Sequence, residues 1–185
     1  HEWNCDNHGK HQKVLQVGNQ DKVQATLHML RSQRTMDEAS SANACLADFV
    51  APKENGKVDY MGAFCVTSGI GLDELCKKYE DDQDDYSLII VKSLADRLAE
   101  AFAERLHLKI RKEYWGYAKD ESLSIPDLYK VKYQGIRPAI GYPSLPDQLL
   151  NFTLDGLLDM SRIGVSLTEN GAMYPHASVC GLMFA

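Results

Sequence analysis

Residues 135–147 read GIRPAIGYPSLPD, and they place a cation and an aromatic ring on a backbone stiffened by three prolines. The proline after Arg137 favours an extended conformation there, and a planar guanidinium suits bidentate capture of a carboxylate. Gly141 lets a ligand lie against the backbone, and Tyr142 offers a stacking face and a hydroxyl group. The spacing alone leaves two interpretations open: a ligand-binding loop, or a structural turn with a surface arginine.

A second candidate set consists of carboxylates. Asp96, Glu100 and Glu104 recur every four residues, which places them on one face of a predicted helix. One interpretation is a solvated face with intrahelical ion pairs to the neighbouring arginines. In the other, Glu100 lies beside the apolar face, points into a cleft and meets a cationic group of a ligand.

The first residues could ligate a metal. Cys5, His8 and His11 are separated by two residues each, and His1 could add a fourth ligand. A structural zinc site usually draws its ligands from two separated pairs, which this stretch lacks. We therefore expect a polar lead-in and no metal site, and we keep a small metal-binding protein as an alternative.

Residues 174–181, YPHASVCG, bring a histidine, a serine and a cysteine close together in sequence. Sequence neighbours do not make a catalytic triad, and no nucleophile elbow surrounds them. We expect Cys180 to be a core thiol in a strand, and we predict no catalytic residue in the chain. Neither a phosphate-binding loop nor a dinucleotide-binding glycine pattern occurs.

Composition narrows the class of protein. The chain has 185 residues and a formal net charge of −6, which argues against a broad nucleic-acid or anionic-membrane surface. No apolar run approaches the roughly 20 residues of a membrane span. The five cysteines are widely spaced, so we expect free thiols in a reducing cytoplasm.

The periodicity of apolar residues predicts helices and strands in irregular order. The predicted helices cover residues 21–42, 86–114, 124–133 and 151–164, with a short helix that starts at Leu72 and ends at the acidic run 80–85. The predicted strands cover 43–52, 58–69 and two segments of 165–185. The first helix is based on the spacing of Val23, Leu27 and Leu30. The longest should be the scaffold, because an apolar face is shared by Ile90, Leu94, Leu98, Ala101 and Phe102. The irregular order favours an α+β fold: a twisted antiparallel sheet packed with a long central helix and shorter helices.

Five longer motifs carry a family resemblance. They read CLADFVAPKENGKVDYMGAFCVTSG, EDDQDDYSLIIVKSLADRLAEAFAERLH, YWGYAKDESL, YQGIRPAIGYPSLPD and LTENGAMYPHASVCGLMFA. In order and spacing they resemble the C-terminal activation domain of cobalamin-dependent methionine synthase. The resemblance covers residues 43–185, whereas residues 1–42, a polar lead-in plus a helix, match poorly.

The resemblance implies a function. Such a domain binds S-adenosylmethionine and supports the reductive methylation of oxidised cobalamin, with an electron from flavodoxin or another reductase. It implies that Arg137 grips the ligand carboxylate, that Ala139, Gly141 and Tyr142 border the adenosyl group, and that Glu100 belongs to the site. The partner would be the cobalamin-binding domain of methionine synthase, a methyltransferase, of which this chain is the reactivation domain and not a complete enzyme.

The chain departs from the family pattern at several places. Ile140 replaces the proline that usually follows the R-P-A motif, and Gln148 replaces a usual histidine. We find no counterpart of the family's longer N-terminal region or of its last strand and helices, so we expect a fragment. These departures keep a second hypothesis open: an interaction module that docks on a cobalamin-binding protein without a ligand of its own.

Overall fold

The computed structural model describes residues 2–8, 12–19, 22–32 and 43–185, and for residues 2–8, 12–19, 22 and 53 it describes the backbone alone. The strands are β1 Glu2–His8, β2 Gln12–Asn19, β3 Lys22–Leu30, β4 Asp59–Tyr60, β5 Gly62–Thr67, β6 Ser166–Leu167, β7 Met173–Tyr174 and β8 Ser178–Met183. The α-helices are α1 Leu72–Asp81, α2 Asp85–Lys109, α3 Ile125–Tyr129 and α4 Leu150–Leu158.

The strand pairings within the described part are all antiparallel. One sheet has the order β3-β2-β1-β4, while β5 pairs with β8 and β6 pairs with β7. The longest helix, α2, packs against both β5 and β8. This arrangement confirms the predicted α+β class with an antiparallel sheet and a long central helix.

The prediction of a helix over residues 21–42 is wrong where the structure describes it, because Lys22–Leu30 forms a strand. Apolar residues occupy every second position of this strand, and the side chains of Leu27 and Met29 are buried. That alternation is the period of a half-buried strand. The structure follows it and not the helical spacing of Val23, Leu27 and Leu30. Residues 33–42 lie outside the described part.

The prediction of a strand over residues 43–52 is also wrong. Residues Leu46–Phe49 form a 3-10 turn instead. The carboxylate of Asp48 accepts a hydrogen bond of 2.9 Å from the backbone N–H of Cys45 and pairs with Arg31 at 2.7 Å. These contacts close a tight turn, and an extended chain could not make the first of them.

The main hydrophobic cluster joins β3, the 46–49 turn, α4 and β8. Leu27 and Met29 pack there with Leu182 and Phe184 from the end of the chain. The early strand therefore contributes to the same core as the C-terminal strand, while the division of the chain near residue 42 stays a prediction.

Helix α2 packs through small side chains. Its buried positions follow one another at intervals of four residues: Ala95, Ala99, Ala103 and His107. Alanine lets the helix lie close to the sheet. The predicted apolar face lies instead at the surface, where it forms what we call the α2 stripe: Ile90, Leu94, Leu98 and Phe102, each more than 40% exposed. In the described part, no helix is both long enough and apolar enough to cross a membrane.

The helix ends in a wider turn. Residues Ile110–Tyr114 form a π-helical turn, in which the N–H of Trp115 donates to the carbonyl of Ile110 at 3.0 Å. Arg111, in this turn, follows His107 by four residues and continues the buried face of α2. Here the side chain of Arg111 lies inside the protein with no exposed surface.

Candidate functional site

The loop that carries Arg137 lies along strand β8. Ile136 and Phe184 exchange two backbone hydrogen bonds of 3.0 Å each, and the N–H of Leu182 donates to the carbonyl of Pro138 at 3.0 Å. The loop therefore continues the sheet edge, and its proline has no N–H that would be lost from the pairing. Because β8 packs on α2, the loop is held at a fixed position relative to the helix.

Two glycines make this arrangement possible. Gly141 has a φ of 88°, a left-handed conformation that side chains disfavour, and its N–H donates to the carbonyl of Leu145 at 2.8 Å. Gly181, on β8, lies beneath the loop, and a Cβ atom there would come within 2.3 Å of the carbonyl oxygen of Pro138. The first glycine closes the turn, and the second lets the two backbones approach.

The structure brings four of the five predicted site residues to one cavity of about 300 Å³. Glu100 from α2 and Arg137, Ala139 and Tyr142 from the loop line it. Gly141 does not line the cavity and instead shapes the turn that carries Tyr142. Their roles in binding remain predictions, but their common position is a finding of the structure.

A second cavity of about 290 Å³ adjoins the first and shares Glu100 and Val179 with it. Its walls include Asp96 and His176. The carboxylate of Glu100 thus lies between two cavities, and it makes no ion pair within the described part of the chain. An unpaired carboxylate at this position favours a cationic group in the cavity.

Sequence reasoning missed the partner of Arg137. The Nη2 of Arg137 donates to Oε2 of Glu104 at 3.1 Å, and the Arg137 side chain is only 16% exposed. Glu104 belongs to the same four-residue stripe as Glu100, one helical turn further on. The four-residue spacing of the carboxylates pointed to Glu104, but its separation of 33 positions from Arg137 left their pairing open in the sequence.

Behind Arg137 lies a second, fully buried ion pair. Nε and Nη2 of Arg111 donate to the two carboxylate oxygens of Glu121, both at 2.8 Å, with side-chain exposures of 0% and 7%. The guanidinium also lies 4.2 Å from the ring centroid of Tyr133. Burial, and next the charge of Glu104, raises the pKa of the Tyr133 hydroxyl. The buried pair therefore lies against the ring of Tyr133, which precedes Arg137 by four residues.

His107 belongs to the same cluster. Its side chain is fully buried, its ring meets that of Tyr133 edge-on at 5.1 Å, and its Nε2 lies 3.4 Å from the hydroxyl of Tyr117. Burial, and then the charges of Arg111 and Arg137, lowers the pKa of His107 to about 3. The imidazole is therefore neutral at physiological pH.

We expect His107 to destabilise the fold in acid. The unfolded chain takes up a proton near pH 6.5, whereas the native imidazole stays neutral down to about pH 3. Between these values the unfolded state binds more protons, so the free energy of unfolding falls as the pH falls, by about 1–3 kcal/mol at pH 4.5. Urea unfolding at pH 7 and pH 4.5 measures this difference.

The His107→Gln variant provides the comparison, because glutamine can keep a hydrogen bond but does not titrate. Acidic groups elsewhere contribute equally to both proteins. The variant should lose less stability than the wild type between the two pH values. Equal losses would contradict a neutral buried imidazole.

The other sequence candidates have different outcomes. No group of three or more metal-ligating side chains occurs in the part described, and the proposed ligands Cys5, His8, His11 and His1 lie outside the side chains described. The prediction for Cys180 is confirmed, since its buried thiol lies in β8. Burial raises its pKa to about 12, and its S–H donates to Oδ1 of Asn151 at 2.8 Å.

Comparisons with known proteins agree with the predicted fold. The family model described as vitamin B12 dependent methionine synthase, activation domain, matches residues 2–185. A solved structure, titled as the MetH reactivation domain bound to AdoHcy, aligns with a TM-score of 0.89 at 46% identity. The alignment covers 99% of this chain and 56% of that one, so the chain spans little more than half of that relative. The chain belongs to the family of activation domains of vitamin B12-dependent methionine synthase.

Proposed function

We propose that the 300 Å³ cavity binds S-adenosylmethionine and that the chain serves the reductive reactivation of cobalamin in a methionine synthase. The observation that carries this proposal is the pairing of opposite charges around one cavity, with Arg137 in the loop and Glu100 on α2. The ligand has a carboxylate at one end and a sulfonium near its centre. The bound AdoHcy of the solved relative supports the same ligand class.

The residues present fit such a ligand. The guanidinium of Arg137 suits the carboxylate, and the unpaired carboxylate of Glu100 suits the sulfonium. The exposed ring of Tyr142 and the backbone at Ala139 can border the adenosyl group. A volume of about 300 Å³ is at the lower end for small-molecule sites, and the adjoining cavity extends it beyond Glu100.

In this function the chain binds and orients its ligand. Arg137 and Glu100 hold two points of the methionyl group and so fix the direction of the S-methyl bond. Cobalamin, held by a separate cobalamin-binding domain, supplies the metal centre that accepts the methyl group. That division of labour requires no nucleophilic side chain in the cavity. A flavodoxin-like or other reductase would supply the electron.

Calorimetric titration tests the proposal with two ligands that differ in one charge. Wild-type protein should bind both S-adenosylmethionine and AdoHcy. Glu100→Gln should weaken the binding of S-adenosylmethionine by about fivefold to tenfold and that of AdoHcy by less than about twofold, because only the former carries the sulfonium charge. Glu113→Gln, which neutralises an exposed carboxylate near the end of α2, serves as the control.

The outcomes separate the hypotheses. Failure of the wild-type protein to bind either ligand would contradict the proposal and favour the interaction module without a ligand. Equal losses for both ligands in Glu100→Gln would keep the binding function but remove Glu100 from the sulfonium position. An effect of Glu113→Gln as large as that of Glu100→Gln would show that net charge alone matters.

A further inference from the structure

Four buried side-chain polar atoms lack a hydrogen-bond partner in the described part of the chain. They are Oε1 of Glu104, Nδ1 of His107, Nη1 of Arg111 and Nη1 of Arg137. All four belong to one cluster around Tyr133. Its ring contacts His107 and Arg111, and the charges of Glu104 and Arg137 shift the pKa of its hydroxyl. Buried polar atoms are normally paired, so this concentration beside the cavity calls for an explanation.

Two of these atoms belong to the same ion pair. Nη2 of Arg137 donates to Oε2 of Glu104, while Nη1 of the one and Oε1 of the other are both buried and unpaired. The guanidinium thus makes one of its possible hydrogen bonds to the carboxylate of Glu104. Arg137 also lines the cavity, so N–H groups that this bond does not use can serve a ligand.

Arg111 shows how a guanidinium in this protein binds a carboxylate with two N–H donors. Its Nε and Nη2 bind the two carboxylate oxygens of Glu121 side by side, both at 2.8 Å. A ligand carboxylate that approaches the same edge of Arg137 would find the same fork of donors. A bidentate contact requires that the guanidinium be held in one orientation relative to the ligand carboxylate.

We propose that Glu104 is a positioning residue that holds the guanidinium of Arg137 in the orientation that binds the ligand carboxylate. This inference rests on the proposed function. Helix α2 then supplies two carboxylates one turn apart with different tasks. Glu104 orients the guanidinium of Arg137, and Glu100 attracts the sulfonium of the ligand.

A competing view would make Glu104 a rival of the ligand carboxylate. The burial of Oε1 of Glu104 and of Nη1 of Arg137 argues against it, because breaking the pair would leave a partly buried carboxylate without its cation. An arginine without its partner also gains rotamer freedom, which the ligand would have to remove on binding. Both effects make a retained pair the more favourable arrangement.

The test uses AdoHcy and 5′-methylthioadenosine, which lacks the methionyl carboxylate. Glu104→Ala should weaken AdoHcy binding about tenfold and leave methylthioadenosine binding within about twofold. Glu104→Gln keeps an oxygen acceptor and should restore AdoHcy binding to within about threefold of wild type. Glu113→Ala is the matched control, since it removes an exposed carboxylate outside the cavity. Titration calorimetry on the whole chain gives the affinities of the wild type and the three variants for both ligands.

Each alternative gives a different pattern. Tighter AdoHcy binding by Glu104→Ala would identify Glu104 as a competitor and overturn the inference. Equal losses for both ligands, or no rescue by glutamine, would reduce Glu104 to a structural role. If Arg137→Ala lost AdoHcy binding while Glu104→Ala did not, the proposed function would stand and the positioning role would fail. A wild-type chain that binds neither ligand would overturn both.

Discussion

Replacing Arg137 with alanine is expected to abolish the thermal stabilisation that AdoHcy gives to the wild-type chain. Ligand at about 100 times its dissociation constant adds about 2.7 kcal/mol, a rise in Tm of roughly 5–10 °C for a domain of this size. Loss of a bidentate, charge-assisted contact raises the dissociation constant about 100-fold. The same ligand concentration should then shift the Tm of the variant by less than about 2 °C.

The control is Arg105→Ala, which removes an exposed guanidinium from α2 next to Glu104. This variant should keep the full ligand shift. A wild-type-like shift in Arg137→Ala would exclude Arg137 as the carboxylate ligand. Melts without ligand show whether either substitution alters the fold itself.

Removing the carboxylate of Glu121 is expected to destabilise the fold far more than removing an exposed carboxylate. Glu121→Ala would leave the guanidinium of Arg111, with no exposed surface, without its only carboxylate partner in the described part. Breaking a buried ion pair from one side costs about 3–5 kcal/mol, because the remaining charge stays desolvated. Urea unfolding at neutral pH measures the change in the free energy of unfolding.

Two further variants define the origin of that loss. Glu113→Ala removes a 57% exposed carboxylate that lies 3.6 Å from Lys109, and it should cost less than about 1 kcal/mol. The double replacement Arg111→Met with Glu121→Leu should recover much of the loss, since it removes both charges. A cost below about 1 kcal/mol for Glu121→Ala would mean that water solvates Arg111 after all.

The sequence allowed the loop and most of its site to be predicted, because local chemistry determines them. The proline after Arg137 restricts the backbone there, and the glycine before Tyr142 permits the left-handed conformation that the structure shows at Gly141. The carboxylate spacing left Glu100 open between a solvated face and a cleft, and the family resemblance assigned it to the site. The cleft exists and Glu100 lines it, although the walls come from the loop and β8.

The partners of buried charges could not be predicted in the same way. Arg111 lies within the π-helical turn and Glu121 in the loop that follows it, and the sequence pattern continued the helix through Tyr114. Arg111 continues the four-residue spacing of the buried positions of α2, but that spacing does not show which carboxylate pairs with it. The pair between Glu104 and Arg137 depends on how the loop pairs with β8, and local sequence does not determine such a tertiary contact.

Strand β3 shows a different kind of failure. Val23 and Leu27 are four residues apart, which fits a helix, but apolar residues also alternate strictly with polar ones from Val23 to Met29. Both periods were present in one short segment. Pairing with β2 and burial of Leu27 and Met29 decide in favour of the strand. Short segments with two compatible periods require tertiary information.

The α2 stripe determines how unfolding of this protein has to be observed. Ile90, Leu94, Leu98 and Phe102 present apolar surface in the native state, which is the surface that fluorescent reporters of unfolding bind. A fluorescent-dye assay would therefore begin with a high signal from the native protein and underestimate the rise in Tm that a ligand causes. Circular dichroism at low protein concentration avoids this signal, and a detergent below its critical micelle concentration would limit colloidal association through the stripe.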